Sequence, residues 1–127
     1  MNEVTEEWVI KAESDYDQAN LAMYAVEVPL RDGVCFHSQQ CAEKYLKAVL
    51  TEKLVEFSRA HPLMPLLDLC LPLDESFESL RADLQSVDGY AVAVRYPGTK
   101  ITDEMAESAL AAANRIREFI RKKLNLD

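Results

Sequence analysis

The sequence predicts an all-α fold, an up-and-down antiparallel bundle of about five helices in a single domain over residues 1–127. Apolar side chains recur at steps of three and four residues through most of the chain, which is the period of an amphipathic helix. Prolines and glycines interrupt this pattern at a few places, and no segment alternates polar and β-branched residues as a strand would. A chain of 127 residues is long enough for one hydrophobic core and too short for two.

The first two predicted helices form a hairpin. Helix one runs from Thr5 to about Ala25 and carries helically spaced apolar side chains at Trp8, Val9, Ala12, Tyr16, Ala19, Met23 and Val26. Pro29 prevents its simple continuation, and Asp32 is predicted to cap helix two, roughly residues 33–53. At about 100° per residue one arc of helix two is apolar and is expected to face the core, through Val34, Cys35, Cys41, Ala42, Tyr45, Leu46 and Val49.

Prolines, a glycine and helix-capping residues divide the rest of the chain. Pro62 is predicted to start a short leucine-rich helix that Pro72 ends, and Asp74 to cap a fourth helix with core positions Phe77, Leu80, Leu84, Val87 and Ala91. Pro97 and Gly98 mark a break. Thr102 then caps a last helix, whose acidic first turn and basic last turn match the helix dipole at Asp103, Glu104, Arg121, Lys122 and Lys123.

The charge balance limits the kinds of partner. Lys and Arg total 14 against 22 Asp and Glu, a net charge of −8, which argues against a protein that coats nucleic acid through its phosphates. Any nucleotide site must therefore be locally basic. The acidic N-terminal segment and the lack of a long apolar run predict neither a signal peptide nor a membrane span, so we expect a cytoplasmic, soluble domain.

The cysteines do not suggest a metal or redox site. Cys35, Cys41 and Cys70 are odd in number and show no paired C-x-x-C spacing. A disulfide framework or a tetrahedral zinc site needs such pairing, so buried reduced thiols are predicted instead. No metal or cofactor is expected.

A polar stripe on helix two is the main candidate for function. His37, Gln40, Lys44 and Lys47 fall within an arc of roughly 80° on the side opposite the apolar arc. One interpretation is a solvated face with a Glu43–Lys47 pair one turn apart. The other is an anion site, in which two ammonium groups and an imidazole bind phosphate oxygens near the positive helix N-terminus.

Three further candidates carry weaker signals. Arg31 and His37 form an R-x5-H arrangement, in which an arginine could hold a phosphate while a histidine moves a proton. His61 precedes a proline and reads either as a helix-entry residue or as a ligand. Arg95 and Tyr96 could offer a guanidinium for phosphate and a ring for a base, or could simply bond helix carbonyls and pack on the bundle.

Three stretches taken together resemble the HEPN family. They are the opening Trp8, Lys11, Ala12 and Asp15, the run from Phe36 to Ala48, and Arg95-Tyr96-Pro97. His61 stands where the family has a histidine near the chain middle. The resemblance implies an up-and-down bundle that forms homodimers, a nucleotide or RNA site near the bundle interface, and a minimal nucleotidyltransferase as partner in a toxin–antitoxin pair.

The resemblance also implies roles for individual residues. The nucleotide-binding positions would be His37, Gln40, Lys44, Arg95 and Tyr96, and the supporting positions Glu43, Lys47 and His61. Tyr96 is further suggested as an acceptor for nucleotidyl transfer. Ribonuclease members rely on R-x4-6-H late in the chain, and the residues after Arg95 contain no histidine at those spacings, so no catalytic residue is assigned. The alternatives are a metal-independent ribonuclease toxin and a helical scaffold without a ligand.

Overall fold

The computed structural model describes residues 1–60 and 62–127. This part of the chain forms helices and no strand, which confirms the all-α prediction. The α-helices are α1 (Glu3–Tyr24), α2 (Arg31–Glu52), α3 (Leu63–Cys70), α4 (Arg81–Val87), the single turn α5 (Tyr90–Ala93) and α6 (Asp103–Lys123). A 3₁₀ helix, Glu75–Leu80, leads directly into α4.

The first two helices are antiparallel. At one end the backbone amide of Asn2 donates to the Glu52 carboxylate over 3.0 Å. At the other end the connection after α1 folds back, and the amide of Leu30 donates to the carbonyl of Ala22 over 2.9 Å. The two contacts fix the register along the full length of both helices.

The remaining long elements complete the up-and-down order. The Tyr16 hydroxyl donates to the Asn114 side chain, and Glu13, one turn earlier in α1, accepts from Arg117, one turn later in α6. Helix α6 therefore runs antiparallel to α1 and parallel to α2. Ion pairs of Lys123 with Asp74 and of Arg115 with Asp83 set the 3₁₀ helix and α4 antiparallel to α6. The predicted bundle topology is therefore confirmed.

Helix α2 is the central element. It packs against α1 on one side and α6 on another, and α3, α4 and α5 contact it as well. Tyr45, Leu46 and Leu50 are fully buried, and small side chains such as Ala42 and Ala48 let the neighbouring helices approach closely. Because so many of its faces are covered, polar groups on this helix must find partners inside the protein.

The structure corrects two helix boundaries. Asp32 does not cap α2, because the helix already begins at Arg31 and its N-cap is Leu30, which makes no side-chain cap bond. The predicted fourth helix, whose last turn Gly89 was expected to weaken, is divided into three pieces. It begins as a 3₁₀ helix and breaks at Asp88 and Gly89, where Gly89 has a φ of 91° and the Asp88 carboxylate accepts from the Leu63 amide at the start of α3.

Two predicted caps are confirmed. The Asp74 side chain accepts from the amide of Ser76, and the Thr102 hydroxyl accepts from the amide of Met105 over 3.1 Å. The first helix begins slightly earlier than expected because the Asn2 side chain caps it by accepting from the Thr5 amide. None of the helices described combines the length and the apolar character needed to cross a membrane.

Candidate functional site

A buried carboxylate of α1 organises the polar stripe of α2. Asp15 is 4% exposed, and its two oxygens bond different side chains. Oδ1 lies 2.7 Å from His37 Nδ1, and Oδ2 accepts from Lys44 Nζ over 2.5 Å. His37 and Lys44 are seven residues apart, which places them about two helical turns apart on one face. We call Asp15, His37 and Lys44 the α1–α2 clamp.

The clamp fixes the direction of the His37 ring. An ionised carboxylate only accepts hydrogen bonds, so Nδ1 carries the proton that is shared with Asp15. The other ring nitrogen, Nε2, has no hydrogen-bond partner among the residues that the structure describes. The side chain of His37 is about one quarter exposed, at 24%. An imidazole held in this way offers one nitrogen to a ligand or a proton-transfer partner.

The Arg-Tyr-Pro corner after α5 reaches the same region through Phe36. The Arg95 guanidinium carbon lies 5.7 Å from the centre of the Phe36 ring, and that ring meets the His37 ring edge-on at 5.2 Å. No carboxylate in the described part of the chain pairs with Arg95. The structure therefore brings both His37 and Arg95 close to one aromatic ring.

Tyr96 does not pack on the bundle. Its side chain is 63% exposed, so the interpretation in which the ring packs against the helices is wrong. Tyr96 directly follows Arg95 at the break between α5 and α6, and Arg95 has no carboxylate partner in the part of the chain that the structure describes. These are the two groups that a phosphate and a base would need.

The part of the α2 stripe nearest the C-terminus of the helix is not a solvated face. Glu43 and Lys47 form the predicted pair, at 2.9 Å, but they are only 2% and 5% exposed. The Lys47 ammonium also lies over the rings of Trp8 and Phe57, at 5.4 Å and 5.7 Å from their centres. Gln40 donates to the neighbouring Gln39 side chain over 2.7 Å and stays half-buried. The solvated-face interpretation is therefore wrong, and a supporting role for Glu43 and Lys47 stays a prediction.

Arg31 does not share a site with His37. It forms an ion pair with Asp103 at the start of α6, at 2.5 Å. Six positions apart on one helix, Arg31 and His37 differ by about 9 Å along the axis and about 120° around it. The R-x5-H hypothesis is wrong on this geometry. His61 lies outside the described residues, and its predicted supporting role stays a prediction.

A second polar cluster was missed by the sequence reasoning. Glu13 on α1 accepts two hydrogen bonds from Arg117 of α6, at 2.6 and 2.7 Å, and one from the Tyr45 hydroxyl at 2.5 Å. The Arg117 bonds lower the pKa of Glu13 below its usual value of 4.5. Burial raises the pKa of Tyr45. Nothing in the local spacing pairs residues so far apart in the chain, so the sequence carried no signal for this cluster.

The cysteine prediction is confirmed. All three thiols are free and buried. Burial raises the pKa of Cys35 to about 11 and that of Cys70 to about 12, and it also raises the pKa of Cys41. Within residues 1–60 and 62–127, no three His, Cys, Asp or Glu side chains are grouped so that they could hold a metal ion.

Fold and site together define a small helical bundle whose polar groups collect along the contact between its first two helices and at the corner before its last. The model of the HEPN domain matches residues 5–123, and the chain belongs to the HEPN family. ST0689, an archaeal HEPN homologue of known crystal structure, superposes with a TM-score of 0.75 at 25% identity over 94% of this chain and 96% of its own. The crystal structure of TT1696 from Thermus thermophilus gives 0.74 at 24% identity over 94% and 97%. No curated protein matches the chain in sequence.

Proposed function

We propose that this HEPN domain binds a nucleotide, or a phosphate-bearing part of RNA, between the α1–α2 clamp and the Arg-Tyr-Pro corner. The ligand would contact His37, Gln40, Lys44, Arg95 and Tyr96. The observation that carries the proposal is the contact of Arg95 and His37 with the same Phe36 ring. Two regions separated by nearly sixty residues of sequence thus meet at one aromatic ring.

Charge supports a phosphate as the recognised group. Arg95 has no acidic partner in the described part of the chain, and a guanidinium binds phosphate oxygens with two parallel hydrogen bonds. In the imidazolium form of His37, Nε2 also donates and can add a third contact. Lys44 is neutralised by Asp15 but keeps part of its side chain exposed, so its remaining ammonium protons can reach a bound anion.

The exposed ring of Tyr96 supports a base as the second group. Stacking of a base on an aromatic side chain contributes about 1–3 kcal/mol and is tolerant of base identity. Gln40 is half-buried and bonded to Gln39, so it would contact a ligand only through its free amide positions. This predicts a site that holds phosphate firmly and selects weakly among bases.

Binding can be tested by calorimetry and thermal shift with ATP, GTP, CTP and UTP. We expect Arg95→Ala to weaken binding at least about tenfold, because a charge-assisted contact is lost. Arg59→Ala is the matched control, since Arg59 is an exposed arginine on the connection after α2. Tyr96→Ala should weaken binding and Tyr96→Phe should not. No binding up to about 1 mM, or equal loss in both arginine variants, would contradict the proposal.

We further propose that the chain forms a homodimer and acts with a minimal nucleotidyltransferase in a toxin–antitoxin pair. In this scheme the Tyr96 phenol oxygen bonds to the α-phosphorus of a nucleoside triphosphate, pyrophosphate leaves, and the phenol proton passes to solvent. The exposure of Tyr96 is compatible with such a reaction. Co-expression with a nucleotidyltransferase from the gene neighbourhood should add a nucleotidyl mass to the wild-type chain and none to Tyr96→Phe.

One observation favours a second function, a metal-independent ribonuclease. The hydrogen bond to Asp15 fixes the orientation of the His37 imidazole, as in enzymes where a histidine transfers protons. Arg95 could stabilise the charge on a scissile phosphate. Expression should then arrest growth, and His37→Asn should relieve the arrest. Harmless expression, with total RNA left intact by the purified protein, would exclude this function. If the domain is only a scaffold, neither His37 nor Arg95 variants will change any ligand response.

A further inference from the structure

An exposed apolar strip lies at the end of the molecule where α1 gives way to α2. Five large apolar side chains between positions 21 and 30 are each 39% to 74% exposed, namely Leu21, Tyr24, Val26, Val28 and Leu30. We call them the α1–α2 strip. Single exposed apolar residues are ordinary on protein surfaces, but five within ten positions form a patch of the kind that marks a binding surface.

The two ends of the strip lie close together in space. The hydrogen bond from the Leu30 amide to the Ala22 carbonyl folds the connection back onto α1. One shallow depression of about 540 Å³ is lined by Leu21 and Tyr24, and another of about 370 Å³ by Val28 and Leu30. A helix-sized apolar surface could lie across both depressions.

The border of the strip is acidic. Asp17 lines the first depression and Asp32 the second, and Glu27 lies in the chain between them. The only basic side chain from position 17 to position 32 is Arg31, which is already paired with Asp103. Between positions 17 and 32 the strip therefore combines apolar contact area with three carboxylates, while the one guanidinium, Arg31, is paired with Asp103.

We infer that the α1–α2 strip docks a basic amphipathic helix from a different protein, one with apolar side chains along one face and Lys or Arg beside them. Charge complementarity selects this occupant. A second copy of this chain bound symmetrically through this strip would bring the same acidic rim against itself. An anionic lipid surface would be repelled for the same reason. The inference is independent of nucleotide binding.

The probe is a fluorescein-labelled synthetic peptide of about 18 residues, five helical turns, with Leu on one face and Lys on the other. Its binding to the full chain is followed by fluorescence anisotropy. We expect Leu21→Ser with Tyr24→Ser to weaken binding at least about tenfold. The matched control is Leu54→Ser, at the far end of α2, because Leu54 is 87% exposed and should leave affinity unchanged. Circular dichroism should show all variants folded, since exposed substitutions cost little.

A second arm tests the rim. Asp17→Asn with Glu27→Gln should weaken binding about three- to tenfold at low salt, and this difference should vanish near 1 M salt, where the screening length is about 3 Å. Glu56→Gln with Glu118→Gln removes the same charge from exposed positions elsewhere and should have no such effect. A peptide with Glu in place of Lys should bind far more weakly.

Three results would overturn the inference. The first is equal affinity in the strip variant and the Leu54→Ser control, or no binding of the Lys peptide up to about 1 mM. The second is a wild-type dimer in sedimentation velocity that Leu21→Ser with Tyr24→Ser dissociates, which would make a second copy the occupant. The third is strip-dependent binding to vesicles of phosphatidylcholine and phosphatidylserine.

Discussion

Replacing Asp15 with asparagine removes the charge from the α1–α2 clamp and keeps its shape. The amide oxygen can still accept from Lys44, but the amide NH2 group only donates, so the two charge-assisted hydrogen bonds to the carboxylate are lost and His37 is bonded only if its ring proton moves to Nε2. Such bonds contribute about 1.5–3 kcal/mol when charged and about 0.5–1.5 kcal/mol when neutral. Because His37 and Lys44 are partly exposed, water recovers some of the difference. We expect a net loss of about 1–2 kcal/mol in the free energy of unfolding.

A double-mutant cycle isolates the part due to Lys44. Urea unfolding of the wild type, Asp15→Asn, Lys44→Met and the double variant should give a coupling energy of about 1 kcal/mol. The exposed pair Asp83 and Arg115 serves as the control, since Arg115 is 58% exposed at its side chain. The same cycle there, with Asp83→Asn and Arg115→Met, should couple less strongly because surface ion pairs contribute little.

Additive effects at Asp15 and Lys44, with a coupling energy below about 0.3 kcal/mol, would refute the reasoning, because the clamp would then be no stronger than a surface contact. Nucleotide binding gives an independent reading. The Asp15→Asn variant keeps every side chain that is proposed to contact the ligand. It only weakens the contacts that orient His37 and Lys44. It should therefore weaken nucleotide binding less than Arg95→Ala does.

Three further predictions concern the polar contacts and thiols. Hydrogen bonds from Arg117 lower the pKa of Glu13, so the ionised Glu13 carboxylate stabilises the folded protein fully above about pH 4.5. This stabilisation is lost as the pH falls through the lowered pKa. Thermal unfolding should therefore show that the stability difference between the wild type and Glu13→Gln shrinks on acidification. Thr102→Ala should cost about 1 kcal/mol in urea unfolding and Thr102→Ser much less, because the hydroxyl caps α6. Ellman's reagent should label almost no thiol in the native protein at about pH 8 and all three in denaturant, because Cys35, Cys41 and Cys70 are buried.

Helix boundaries that depend on local chemistry were predictable from the sequence. Thr102 caps α6 and Asp74 starts the 3₁₀ helix because a side-chain oxygen two or three residues before a free amide is a purely local arrangement. The all-α bundle followed from periodicity alone, since apolar spacing reports which side of each helix is buried. The candidate residues came from residue type and spacing, and the family resemblance gave them roles but no contacts between them.

Features that depend on distant residues could not be predicted. The break after α4 needs Asp88 to accept from Leu63 across a fold that the sequence does not show. The cap expected from Asp32 failed because the connection after α1 is fixed by Leu30 bonding to Ala22, which lets α2 begin earlier. Asp15 was noticed only as part of a motif, because its role depends on which residues of α2 face it.

The burial of α2 explains why two lysines of one predicted stripe differ so much. Lys47 lies between Trp8 and Phe57 and pairs with buried Glu43, so its charge is compensated inside the protein, where an unpaired ammonium would be very costly. Lys44 lies one turn nearer the Arg-Tyr-Pro corner, keeps some exposure and shares its carboxylate with His37. A helix covered on so many sides can offer charge to a ligand only where that cover ends. On α2 the cover ends at the N-terminal part of the stripe, beside Phe36 and Arg95. The proposed site therefore lies at this end of the helix and not along its whole face.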